Sequence, residues 1–347
     1  MNFINLSNEQ RRQLIDVRQT FEAYQIVSKQ LVTRYSGSMR WLTRKGHDYL
    51  HRKRGHRESS LGPRSKKTEE TFDAFQKGRA QKRKEATRLA ARLDEMAPVN
   101  RALGLGRVPR LTARVLRQLD KAELLGKHLW IAGTNALFAY EAASGVQLSG
   151  DMLATTDADL LWDVRKRIAL LTPEVKRKGI LGQLRKVDAS FQLQSKQDYR
   201  AFNADGFRVD LICPEETHHF RQPRSTVGDT KEDLHGVPIF GLTWLLNTPR
   251  FESVTVGEDG YPLRFVTVDP RAFALHKFWL SEREDRDPVK VPRDLAQAET
   301  TAQLAQRYLA LHFDETALQA LPSKLRTHIS RLEMNVEKDT DLPEPTW

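Results

Sequence analysis

Residues 131–162 read IAGTNALFAYEAASGVQLSGDMLATTDADLLW, and this stretch decides the fold. The run 128–133 (HLWIAG) is apolar, short and closed by Gly133, which suits a buried strand. Residues 134–144 have the Ala-rich texture of a helix, and Gly145 is placed to end it. Residues 154–163 (ATTDADLLWD) read as a strand again. Side chains alternate along a strand, so Asp157 and Asp159 project from one face while Ala158 and Leu160 point to the other. Neighbouring carboxylates repel, and a divalent cation relieves this. Mg²⁺ in particular prefers carboxylate oxygens. A bare Asp-X-Asp also occurs on solvated turns, but here Thr155–Thr156 and Leu160–Leu161 flank it, a poor setting for an idle turn.

Two further elements frame that pair. Asp210 lies in an apolar run, FRVDLICP at 207–214. Alone it reads as an ordinary exposed strand residue. Gly133–Thr134 closes one strand and opens a helix, where backbone N–H groups are free for a phosphate. Alone it reads as any strand-to-helix turn. Their order is the informative feature: apolar strand, Gly-Thr, helix, Asp-X-Asp strand, then a lone Asp in a later strand.

Outward from this centre, 180–191 reads as a helix. Residues 199–203, 207–214, 237–244, 251–257 and 262–268 are strand candidates, with a turn signal at 258–260. Strands and helices mix without a regular βαβ rhythm, which predicts an α+β domain with a mixed sheet over 128–268. Asp269–Pro270 starts a helix through Ser281. After a charged connection, helices are expected over Pro292–Phe313 and Ala317–Leu332, giving a C-terminal helical domain at 269–335 and a tail at 336–347. Upstream, Leu14, Val17, Phe21, Tyr24, Val27 and Leu31 recur at helical spacing in 7–33, with Ser7 as N-cap. The pattern predicts further helices over Met39–His51, Thr68–Met96 and Thr112–Leu125. Arg52–Lys67 reads as an exposed basic loop, so 1–127 is expected to be a basic helical region.

Charge is divided unevenly. The 347 residues carry a formal net charge of +11, but 1–127 hold 29 Lys+Arg against 13 Asp+Glu and the remainder 27 against 32. A basic half of this kind attracts polyanions such as RNA, or simply keeps a helical surface solvated. The same amphipathic helices also suit docking on a protein partner. No apolar run is long enough for a membrane span, and the N-terminus has no secretory pattern. A single cysteine, Cys213, excludes an intrachain disulfide, so a reducing cytoplasm is expected.

The ordered combination resembles the polymerase β-type nucleotidyltransferase superfamily. More specifically, the stretches 131–146 and 153–163 look like a bacterial family of nucleotidyltransferase-fold proteins, including those named after a Geobacter member. The likeness extends to GSMRWLTRKGHDYL (37–50), SLGPRS (60–65) and HKFWLSEREDRDPVKVPRDLAQA (276–298). Two departures stand out: Thr134 replaces the more usual Ser, and the interval from Gly133 to Asp157 is long. The resemblance implies a polymerase β-like core and an enzyme that moves a nucleoside monophosphate from an NTP to an acceptor hydroxyl on an RNA 3′ end, a protein side chain or a small molecule, with RNA such as tRNA the first expectation given the basic N-terminal region. It implies two Mg²⁺ or Mn²⁺ ions on Asp157, Asp159 and Asp210, the last nearest the acceptor and helping to activate it. It places the triphosphate on Gly133, Thr134 and the following N–H groups, including Asn135. It also suggests Lys277 as a nucleotide contact, against a plain surface lysine, and matches Arg293–Asp294 to an Arg-Asp pair that reads better as structural.

Other signals carry less. His47 and His51 stand four apart, but no Glu follows the first as a zinc hydrolase requires. His218–His219 are adjacent. Cys213 reads as a buried thiol, and Trp130, Trp162, Trp244 and Trp279 as core or pocket walls. No Walker A or dinucleotide fingerprint occurs. Two alternatives to catalysis stay open: a nucleic-acid-binding or regulatory module on the same fold, and a structural metal site in an unrelated α+β protein.

Overall fold

The computed structural model describes residues 3–165, 171–215, 226–313 and 316–337. Backbone contacts divide the chain into two compact units. One comprises residues 1–11, 106–259 and 263–347; the other comprises 12–105 and 260–262.

The larger unit is mixed α+β. Its strands are β5 (Leu129–Ala132), β7 (Asp157–Trp162), β8 (Gln192–Leu193), β9 (Arg200–Phe202), β10 (Arg208–Pro214), β11 (Val237–Ile239), β12 (Arg250–Val256) and β13 (Pro262–Val268). They form one sheet in the order β12-β13-β5-β7-β10-β9-β8, with β11 beside the far half of β10. The sheet is mixed: β7 runs parallel to β10 and antiparallel to β5, while β9 is antiparallel to β10. Strand β5 is apolar on both faces, and β10 is buried on both faces from Val209 onward with Asp210 as its one charged buried residue. A small separate pair joins β1 (Phe3–Asn5) to β6 (Val146–Leu148).

Helices α4 (Leu137–Ser144), α8 (Pro270–Ser281) and α9 (Val291–Arg307) supply much of the packing. Tyr140 of α4 is fully buried and donates its hydroxyl to the Val268 carbonyl at 2.9 Å. Glu141 is buried against Arg107 at 3.0 Å and accepts from the Leu148 N–H at 2.7 Å. At the head of α8, the Asp269 carboxylate accepts from the Arg271 N–H at 2.8 Å, and Pro270 follows it. That is the start the sequence predicts.

The smaller unit corrects the helical reading of the N-terminal region. Residues 39–51 are not a helix and 52–67 are not a loop. They form an antiparallel meander of β2 (Ser38–Arg44), β3 (His47–Arg54) and β4 (Arg57–Pro63). The turns decide this. Lys45 and Gly46 both take positive φ (49° and 78°), the two-residue hairpin geometry, and Gly55 (φ 58°) occupies the first position of the second turn. One sheet face packs on α2 (Lys66–Ala102), with Trp41 6.0 Å from Phe72 and the Arg52 guanidinium 4.1 Å above Phe75. Helix α2 starts from a Ser65–Thr68 capping box and runs through Pro98 rather than breaking there.

Smaller differences follow the same logic. Of 237–244 only Val237–Ile239 is strand, and Leu242–Leu246 is helical. Helix α6 (Pro173–Val187) opens earlier than expected, capped by Thr172, but it breaks at Gly179 (φ 62°), so a helical segment does start at Ile180 as the sequence predicts. The single helix expected over Ala317–Leu332 is instead three short pieces, a 3-10 turn at Thr316–Leu318 and helices at Ser323–Arg326 and Ile329–Glu337. The tail beyond residue 337 and the pair His218–His219 lie outside the described residues.

Candidate active site

The site forms where β5 ends. Ala132 pairs with Asp159, so the turn after β5 lies beside the Asp-X-Asp strand. Gly133 takes φ +61°, and a Cβ there would stand 2.0 Å from Asp159 Oδ2. Both the backbone angle and the space therefore require glycine. A 3-10 turn, Gly133–Ala136, leads into α4. Asn135 donates its side-chain amide to the Asp157 carbonyl at 2.7 Å and fixes the turn to β7.

The three aspartates lie on one face of two adjacent strands. Asp210 on β10 is in register with Asp159 on β7, and Arg208 with Asp157. Asp159 is pushed up to about 6. Burial is the largest cause, then the charge of Asp157, then that of Asp210. Asp210 is buried and receives both arms of Arg200, at 2.7 and 2.5 Å. The Thr155 hydroxyl donates to the Asp157 carboxylate, and Arg208 reaches the Thr156 hydroxyl at 3.0 Å.

Lys277 is buried on α8, not a surface lysine. Its Nζ lies 2.7 Å from Asp294, which also holds Arg286 at 2.7 Å. Burial lowers its pKa, while Asp294 and Asp159 oppose that shift. Arg293 and Asp294 do not pair with each other. Arg293 instead donates to the Thr134 hydroxyl at 3.1 Å and to the Ala154 carbonyl. Gln297 reaches the same hydroxyl at 3.3 Å. Around this turn Asn135 Oδ1, Arg293 Nε and Gln297 Oε1 are buried with no hydrogen-bond partner among the described residues. Buried polar groups are ordinarily satisfied, so this cluster has hydrogen-bonding capacity left for a water or a polar ligand.

Beside the site, His276 is pushed down to about 3, chiefly by burial and then by Lys277, and stands among Trp244 and Trp279. Trp130, Trp162 and Trp279 are core, and Cys213 is a buried free thiol, as expected.

For a metal, the donor chemistry fits hard divalent cations: three carboxylates on neighbouring strands, one destabilised by the charge of the others. Among the described residues, however, no three His, Cys, Asp or Glu side chains form a ready-made cluster. Asp210 is committed to Arg200, so a full three-carboxylate set requires that ion pair to open.

Sequence reasoning did not find Arg200, Arg208 or Gln297, and it assigned Arg293 to the wrong partner. Arg200 lies on β9 ten residues before Asp210, a separation that only the antiparallel pairing of β9 with β10 closes.

A family described as nucleotidyltransferase matches residues 110–322, well over half of the chain. The chain belongs to this nucleotidyltransferase family. The matched region contains all three aspartates, the Gly133 turn, Lys277 and Arg293, and excludes residues 12–105. No curated protein and no solved structure matches. No helix among the described residues is long and apolar enough to cross a membrane.

Proposed function

We propose that the chain transfers a nucleoside monophosphate from an NTP to an acceptor hydroxyl on a polymerase β-like core, with RNA, such as tRNA, as the acceptor. The carrying observation is the placement of Asp157, Asp159 and Asp210 on one face of adjacent strands beside the Gly133 turn. The unsatisfied polar atoms of Asn135, Arg293 and Gln297 suit the triphosphate, together with the Gly133–Asn135 N–H groups. Arg293 is a cation already aimed at that turn. Lys277 is close enough to feel the charge of Asp159 and would serve the phosphates from the other side.

Asp157, Asp159 and Asp210 would hold two Mg²⁺ or Mn²⁺ ions. When bound, such ions neutralise phosphate charge and favour ionisation of the acceptor hydroxyl. In the reaction the acceptor oxygen bonds to the α-phosphorus, the bond from that phosphorus to the β-bridging oxygen breaks, and pyrophosphate leaves. Asp210, once released by Arg200, assists removal of the hydroxyl proton. The remaining residues position the chain of phosphates, which is where most of the rate arises in phosphoryl transfer. RNA as acceptor is supported by the balance of residues 12–105, which carry 22 Lys+Arg against 10 Asp+Glu. A single cysteine is consistent with work in a reducing cytoplasm.

One observation favours a second reading, a nucleic-acid-binding or regulatory module with little catalysis: Arg200 already neutralises Asp210. Pyrophosphate release separates the two. Wild type with NTP, Mg²⁺ and RNA should release it, and the Asp157→Ala/Asp159→Ala double variant should not. Release at the same rate by both would refute the transferase reading at this site.

A further inference from the structure

The meander β2–β4 lies in the unit outside the nucleotidyltransferase match, and its two faces differ. Register places Arg40, His51 and Ser60 abreast, then Leu42 and Tyr49, then Arg44 and His47. These share the face opposite the one that Trp41, Leu50 and Arg52 present to α2. A bulge at Leu61 shifts the register of β4 and brings Ser60 level with His51. The result is a hollow of about 680 Å³ lined by Arg44, Lys45, His47, Tyr49, His51 and Ser60. That volume is within the ~300–1,000 Å³ range of small-ligand sites.

The lining has the make-up of a single-strand nucleic-acid site. Arg44, Lys45 and His47 are exposed, and neither Arg44 nor Lys45 has an acidic partner among the described residues. Tyr49 supplies an aromatic surface beside them, with Ser60 as a further polar group. His51 is only 7% exposed, and its Nδ1 has no hydrogen-bond partner, since Glu58 stands 3.6 Å away. Buried yet unsatisfied at the floor of a hollow, that nitrogen awaits a polar group. The segment 38–63 holds seven Lys and Arg against two acidic residues. Cations bind phosphates, while an aromatic ring stacks on a base of any sequence.

We propose that this sheet face binds single-stranded RNA, with a base against Tyr49, phosphates on Arg44, Lys45 and His47, and a polar base or sugar group on His51. The proposal deepens the reading of RNA as acceptor and rests on it. It is a binding role, with no catalytic duty for these residues.

The test is fluorescence anisotropy of the full chain with a labelled mixed-sequence 12-nucleotide RNA across a salt series. Tyr49→Ala is expected to weaken binding about tenfold or more, with Tyr49→Phe close to wild type. Arg44→Ala/Lys45→Ala should reduce the salt slope by about 1.4, two single-strand phosphate contacts at ~0.7 each. Circular dichroism melts confirm that each variant folds. Normal binding by all the meander variants, or loss only on substituting Lys82, Arg83 and Lys84 of α2, overturns the proposal. So does displacement by polyglutamate with no effect of Tyr49→Ala, which points to an acidic protein. Label transfer to RNA by chains whose meander variants bind normally would leave the transferase reading intact and this one refuted. Meander-dependent binding without transfer would do the reverse.

Discussion

Replacing Asp159 with Asn should stabilise the protein while abolishing its activity. Above pH 6 the native chain carries this side chain as an anion, against its burial and against Asp157 and Asp210. A rise from 3.8 to about 6 corresponds to about 3 kcal/mol at 1.36 kcal/mol per pH unit, and partial exposure lowers this to roughly 1.5–3 kcal/mol. The sign follows from proton binding. The native state holds this proton more tightly than the unfolded chain, so stability falls as pH rises from about 4 to about 6 and the deficit is complete above that. The uncharged Asn escapes it. The variant should therefore melt about 3–6 °C above wild type at pH 8 in chelator, and the free-energy gap should shrink to about a third at pH 4.5. Added Mg²⁺ should narrow the gap at pH 8 by raising the wild-type transition. Thermal melts at the two pH values are the assay. A variant no more stable than wild type at pH 8, or a gap independent of pH, would refute the claim that three like charges are held together here.

Further outcomes follow from the same geometry. Gly133→Ala forces a Cβ onto the Asp159 carboxylate at a positive φ, so it should cost about 1–3 kcal/mol in denaturant melts and lower turnover about a hundredfold or more. Arg200→Ala leaves buried Asp210 uncompensated beside Asp159. Without divalent ions the melt should show a loss of about 2–4 kcal/mol, and Mg²⁺ should raise the transition of this variant more than that of wild type. Arg200→Lys should restore only part, since a lysine cannot reproduce the two-armed contact. Lys277→Met keeps Asp294 paired with Arg286 and should raise the NTP KM about tenfold in steady-state pyrophosphate assays; an unchanged KM would make Lys277 structural.

Strand alternation and apolar runs made the central sheet legible: β5, β7, β10 and β13 lie where the sequence places them, and so does the start of α8 at Asp269. The meander was not legible. His47 and His51 are four apart, and Met39, Trp41, Leu42 and Leu50 can be read on a helical wheel, whereas the positive φ at Lys45 and Gly46 is set by hairpin pairing. Among the candidate site residues, Asp157, Asp159, Gly133 and Asn135 were readable because they are local to one strand–turn–helix–strand segment. The partners of Asp210 and Thr134 were not. Arg200 reaches Asp210 across a strand pair, and Arg293 reaches Thr134 over 159 residues of sequence. The adjacency of Arg293 and Asp294 misleads, because consecutive helical residues diverge around the axis and meet different neighbours.

The most direct measurement compares NTPs labelled at the α- or the γ-phosphate, incubated with the chain, Mg²⁺ or Mn²⁺, and total RNA and protein. The α-label should enter a single class of acceptor, RNA first, the γ-label should stay in pyrophosphate, and the Asp157→Ala/Asp159→Ala variant should transfer neither. Transfer of the γ-label, or α-label transfer that survives the double substitution, would contradict nucleotidyl transfer by these carboxylates.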